Sequence, residues 1–299
     1  MVLIFCFYLI IAGVMILGKQ LVLYGSPSFL AAIRLIPAGF IFLGIDKIRY
    51  KYLKLPSFRG RDAFLTLLYA INILFVDITR LKGLSYIPSS NAALMTMIAP
   101  FLAVILSWKF FGEHITRKKI GALCLGVAGV APLIISHVNA TSGPASEAIV
   151  GYCLVVLSTL GIIMSGIFAK HLVQVRGYQL FTITGLVMIG GGLLGLINSL
   201  VTEVWNPIPL TEPTVALPII GVLFIFHSLI AFPLYGFLVQ KYPITLVSFT
   251  QCIMPFLTAL MGWYYAGETI SVTFFISFII LAVSLYLFYH EELKEGLIK

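Results

Sequence analysis

From Val2 to Gly18 the chain reads VLIFCFYLIIAGVMILG, without a single charge. A helix rising about 1.5 Å per residue needs roughly 20 mostly apolar residues to cross the hydrocarbon core of a bilayer. Runs of this kind recur ten times, near 2–24, 28–46, 63–84, 88–110, 118–136, 149–172, 178–202, 214–240, 243–266 and 272–290. In lipid every backbone N–H and C=O must be satisfied internally, so only helices and closed barrels can span it. These runs are too long and too continuously apolar for the alternating strands of a barrel. The sequence therefore predicts an all-α integral membrane protein with ten transmembrane helices. The first run has no basic leader and no small-residue cleavage site, and reads as a span rather than a removable signal.

Composition agrees. Hydrophobic residues make up 60% of the 299 and charged ones 10%, where a soluble domain carries about a quarter charged. One aqueous core of this length could not hide that much apolar surface. The net charge of +8 does not point to nucleic acid, because no basic face interleaved with aromatics is present. The basic residues gather instead in short segments between spans: Lys47, Arg49, Lys51, Lys54, Arg59 and Arg61 after the second, and Lys109, Arg117, Lys118 and Lys119 after the fourth. Glu147, Glu203, Glu212 and Glu268 fall in the opposite set of loops. The positive-inside rule then places both termini in the cytoplasm. Cys6, Cys124, Cys153 and Cys252 lie within apolar runs without metal-ligand spacing, so neither a metal nor a disulfide framework is expected. No Walker loop, HExxH or nucleophile elbow is present, and no cofactor is implied.

Pro100–Thr116, PFLAVILSWKFFGEHIT, aligns without a gap on Pro255–Ser271, PFLTALMGWYYAGETIS, 155 residues later. With five spans per half, the second half enters the membrane upside down, the plan of many secondary transporters. The halves are expected at 1–136 and 149–290, followed by a cytoplasmic tail at 291–299. On FFGEHITRKKIGALCLGVAGV at 110–130, YAGETIS at 265–271 and FLAAIR at 29–34, the chain resembles the EamA-like branch of the drug/metabolite transporter superfamily. That resemblance implies export or exchange of small metabolites, often amino acids or related compounds. One departure stands out: the last span lacks the glycines that its counterpart carries at Gly121, Gly126 and Gly129.

Charges inside the spans mark candidate sites. Lys19 and Arg34 flank the turn at 25–27 and lie about 7–11 Å below the outer surface. Asp77 reaches a similar depth on the third span, with Arg80 one helical turn beyond it. At the 155-residue offset Asn72 pairs with His227, and Thr96 with Gln251. Polar groups recurring at equivalent positions suit a central site built by both halves, and Tyr69 shares the face of Asn72. His227, able to titrate near neutrality, is also a candidate proton carrier. The substrate-binding candidates are thus Lys19, Arg34, Tyr69, Asn72, Asp77, Thr96, His227 and Gln251. Gly112–Glu113 and Gly267–Glu268 read as structural elements that fix the turns after the fourth and ninth spans, with Thr116 and Ser271 able to cap the helices that follow. The glycines of TGLVMIGGGLLGL, Gly190, Gly191, Gly192 and Gly195, read as a close-packing surface.

The expected activity is secondary transport of a small metabolite across a bacterial inner membrane by alternating access, as a monomer or homodimer. The primary candidate solute is an amino acid or amino-acid derivative. The alternatives are uptake or exchange of a larger adenosylmethionine-like compound and, from a different class, a membrane-embedded lipid-modifying enzyme. The enzyme would need clustered His, Asp or Glu at the membrane surface, and the isolated polar residues do not supply them.

Overall fold

Turn chemistry decides where the helices stop. YGSPS ends α1 (Val2–Leu21) and opens α2 (Pro27–Tyr50), with proline at the first helical position, where its missing N–H costs nothing. YIPSS separates α3 (Gly60–Tyr86) from α4 (Ser89–Met95), with Pro88 at the N-cap. The remaining helices are α5 (Arg117–Ala140), α6 (Ala145–Lys170), α7 (Leu180–Thr202), α8 (Pro213–Leu223), α9 (Phe232–Lys241), α10 (Ile253–Ala266) and α11 (Val272–Lys294). A π-helical segment, Phe224–Ala231, joins α8 to α9. The computed structural model describes residues 2–50, 60–102, 105–106, 117–140, 144–241, 251 and 253–294. Among these, eight helical stretches are long and apolar enough to cross a membrane. The fourth and ninth expected spans lie partly outside the described residues.

The chain divides into two structural units. The unit of Leu17–Lys82 and Gly161–Gln240 is organised by α2 and α7, which run antiparallel along their length. A Cβ on Gly39 would stand 2.7 Å from the Gly185 carbonyl oxygen, and one on Gly192 would stand 2.6 Å from Ile36. Gly191 approaches the Ala70 backbone of α3. The glycine-rich stretch of α7 is a packing surface, as its composition suggests: between helices in lipid, small residues let backbones come close enough for dispersion and hydrogen bonding to hold them.

Acidic side chains secure both ends of this pair. Glu203, just past α7, takes the Ser28 and Phe29 N–H groups at 2.8 and 3.1 Å and so caps α2. At the other end Thr182 donates to Asp46. Tyr24–Ser26 and Pro209–Thr211 are joined by the Thr211 N–H to Tyr24 O bond (2.9 Å) and the Ser26 N–H to Pro209 O bond (3.2 Å). Asp62 receives the Tyr178 hydroxyl at 2.9 Å and pairs with Arg176 at 3.0 Å.

The other unit, Met1–Ile16, Gly83–Leu160 and Lys241–Lys299, contains two further helix pairs, α5 with α11 and α4 with α10. Gly126 lies against Phe101 and Ser284, and Gly129 against Ile280, while Ser284 donates to the Ala122 carbonyl. The glycines of this pair are all on α5, and α11 meets them with Ser284 and Ile280.

The repeated prolines also acquire a reason here. Pro100 has no N–H for the Thr96 carbonyl, so the chain tightens into a 3₁₀ turn, Thr96–Ile98, and Ala99 N–H bonds Thr96 O instead. Pro255 stands four residues past Gln251, and Met254 N–H bonds Gln251 O at 2.9 Å in the same i+3 pattern.

Candidate functional site

An arginine in the middle of a span costs at least about 2.5–3.5 kcal/mol on insertion scales, so its partners identify what offsets that cost. The side chain of Arg34 is 2% exposed. Its Nε donates to Leu30 O at 3.0 Å, its Nη2 donates to Asp77 Oδ2 at 3.1 Å, and its Nη1 lies 3.1 Å from His227 Nδ1. Arg80, a turn along α3 from Asp77, donates through Nη2 to Asp77 Oδ1 at 2.8 Å, and the same nitrogen lies 3.1 Å from His227 Nε2. Four side chains from α2, α3 and the π segment thus close a ring: Arg34, Asp77, Arg80, His227. It holds two guanidinium cations against one carboxylate.

Arg34 and Asp77, expected at a similar depth, do pair, at 3.1 Å. Arg80 is a full member of the ring, although the sequence suggested only that it could reach Asp77. His227 joins from the π-helical segment. Such wide turns are frequent at functional sites, and nothing in FIFHSLIA announces one. The Asn72–His227 relation is not a contact. Asn72 donates instead to Gly161 O and Ser165 Oγ of α6, both at 2.8 Å. Tyr69 turns to the same helix, its ring 5.8 Å from that of Phe168 within an apolar cluster. Lys19 is half-buried near the end of α1.

Thr96 and Gln251 belong to the other unit and do meet. Gln251 Nε2 donates to the Thr96 carbonyl at 3.3 Å, taking the lone pair that Pro100 cannot use. The Thr96 hydroxyl is occupied by Ala93 O at 2.7 Å.

Gly267 adopts φ +64° and ends α10, a conformation that glycine adopts without a Cβ clash. Glu268 does more than fix its own turn. Its carboxylate accepts Ser89 N–H at 2.9 Å, Ser89 Oγ–H at 2.8 Å and Ser90 N–H at 3.4 Å, and so caps α4 from 179 residues away. Ser271 caps α11 through the Phe274 N–H at 3.2 Å. Gly112 and Glu113 lie outside the described residues. Among the described residues no group of three His, Cys, Asp or Glu could hold a metal ion.

The EamA-like transporter family matches this chain at residues 1–135 and again at 149–290. The S-adenosylmethionine/S-adenosylhomocysteine transporter of Chlamydia muridarum is 28% identical over 94% of this chain and 88% of its own length. The protein of the same description from Chlamydia trachomatis serovar L2 is 29% identical over 94% and 86%. Protein PecM of Dickeya dadantii is 24% identical over 88% and 85%. A solved protein structure superposes with a TM-score of 0.63 at 15% identity, covering 95% of this chain and 94% of its own, and shows the fold alone. The chain is a multi-pass membrane transporter and not an enzyme; it belongs to the EamA-like transporter family.

Proposed function

We propose that this transporter moves an adenosylmethionine-like metabolite, in uptake or exchange, by alternating access. The observation that carries the reading is the nearly end-to-end similarity to chlamydial proteins described as S-adenosylmethionine/S-adenosylhomocysteine transporters. It favours such a solute over a plain amino acid. The ring around Arg34 and Arg80, with cations in excess of anions, supports a solute that carries a carboxylate. Arg34, Asp77 and His227 head the proposed binding residues. Tyr69, Asn72 and Lys19 of the same unit are proposed with them, and Thr96 and Gln251 are the candidates of the other unit.

The architecture proposed for this activity is ten spans in two inverted halves, 1–136 and 149–290. Three features support it: the family matches twice, α2 packs on α7, α4 on α10 and α5 on α11, and Pro100 and Pro255 produce the same turn. The distribution of lysine and arginine supports cytoplasmic termini, and the bacterial relatives support a bacterial inner membrane.

Counterflow tests the solute. Proteoliposomes loaded with S-adenosylhomocysteine should accumulate labelled S-adenosylmethionine, and external methionine should compete poorly. Accumulation of labelled methionine with no uptake of the adenosyl compound would return the plain amino-acid reading.

A further inference from the structure

The ring of four side chains contains a conflict that hydrogen-bond chemistry cannot remove. Asp77 accepts from both arginines without difficulty, since a carboxylate is acceptor-only. His227 faces both arginines too, Nδ1 against Arg34 Nη1 and Nε2 against Arg80 Nη2, each at 3.1 Å. A guanidinium only donates, while neutral imidazole accepts at one nitrogen and donates at the other, and imidazolium accepts at neither. In every protonation state of imidazole or imidazolium, at least one of the two contacts sets donor against donor. Leaving such a buried contact unresolved is costly.

The two arginines are not equally free to resolve it. Arg34 is bound through all three of its nitrogens and is 2% exposed, whereas the Arg80 side chain is 10% exposed. Arg80 engages its neighbours only through Nη2, and its Nε and Nη1 hold no hydrogen bond among the described residues. We infer that Arg80 is the hand that takes the solute's α-carboxylate, exchanging its contact with His227 for a charge-assisted pair, while Arg34 is the fixed post that holds Asp77 and donates to His227 Nδ1. The incoming carboxylate supplies the second anion that two guanidiniums call for, and the donor conflict disappears when it binds. This assignment rests on the reading of the solute as an adenosyl amino acid and adds which end of it the ring recognises. It makes the ring a filter for the amino-acid end: a solute with the adenosine but no carboxylate leaves the conflict in place.

Two measurements test it. The first uses purified protein without solute. His227→Glu gives both arginines an acceptor and should raise the thermal midpoint. His227→Gln, with one donor and one acceptor end like neutral imidazole, should leave it unchanged. A midpoint that is flat or lowered in His227→Glu overturns the proposal. The second compares binding of S-adenosylhomocysteine with that of methylthioadenosine, which keeps the adenosine and the thioether and lacks the amino acid. Arg80→Gln should weaken S-adenosylhomocysteine at least about tenfold, as loss of a charged hydrogen bond does, and should leave methylthioadenosine unaffected. Equal losses for both compounds, or none for either, overturn the proposal. A parental protein that binds neither compound defeats the adenosyl reading itself, and the His227→Glu midpoint then decides the assignment of Arg80.

Discussion

Removing the Glu268 carboxylate separates its structural work from any part in transport. The group takes two short hydrogen bonds, from Ser89 N–H and Ser89 Oγ–H, and a longer one from Ser90 N–H at 3.4 Å. Ser89 is fully buried, so its N–H relies on the carboxylate for an acceptor. Capping substitutions cost about 0.5–2 kcal/mol, and a hydrogen bond to a charged group contributes about 1.5–3 kcal/mol. Glu268 is itself half-exposed, which places the sum toward the low end. Glu268→Ala should therefore lose about 2–3 kcal/mol, roughly a 30- to 150-fold drop in the folded-to-unfolded ratio. Glu268→Gln, which keeps one acceptor oxygen, should lose about 1 kcal/mol. Heating detergent-solubilised protein and measuring the fraction that remains monodisperse by size-exclusion gives the midpoints, and counterflow in proteoliposomes gives activity. If capping is the whole role, Glu268→Gln transports at nearly the parental rate. An unchanged midpoint in Glu268→Ala would refute the cap. A Gln variant of normal stability that moves no solute would refute a purely structural role.

Three further outcomes follow from the packing and the charges. Gly39→Ala should weaken the α2–α7 contact by about 1–3 kcal/mol, because its Cβ meets backbone atoms of Gly185 and Ile189 within 2.9 Å; the thermal midpoint reports it. Asp77→Asn should destabilise more than Arg34→Ala, since the first leaves two buried guanidiniums without their anion whereas the second leaves Asp77 paired with Arg80 at 2.8 Å. Breaking a buried pair typically costs about 3–5 kcal/mol, and paired unfolding curves will rank the two. In a background without native cysteines, single cysteines at Ser57 and Arg117 should react with impermeant maleimide only from the cytoplasmic face. Those at Ser146 and Glu212 should react only from the other face, and labelling of Ser146 and Arg117 from one side refutes the inverted topology.

The sequence reveals this fold wherever one physical constraint dominates. Apolar length places the helices, and Gly25, Pro27 and Pro88 place their turns. Depth arithmetic on α2 and α3 brings Arg34 to Asp77, because an unpaired charge at that depth has few alternatives. Where several outcomes are close in energy, the sequence is silent. The π segment needs only one extra residue per turn over Phe224–Ala231, and no proline or glycine in that run marks the change. Glu203 and Glu268 reach helix starts 175 and 179 residues away, a choice made by tertiary packing. Asn72 has an equivalent partner in sequence but finds nearer acceptors on α6, and an amide buried in lipid takes the first good geometry it meets.

The one-sided clearance between α5 and α11 bears on how such a chain can change over generations. Gly126 and Gly129 supply the glycine room, and Phe101, Ser284 and Ile280 fill it. A larger residue at Gly126 can be tolerated only by a loss of volume at Phe101 or Ser284, the latter 158 positions later in the chain. The two ends of the sequence are therefore not free to drift independently. A lesion in one will be repaired in the other, and the surviving pairs will record which residues share a seam.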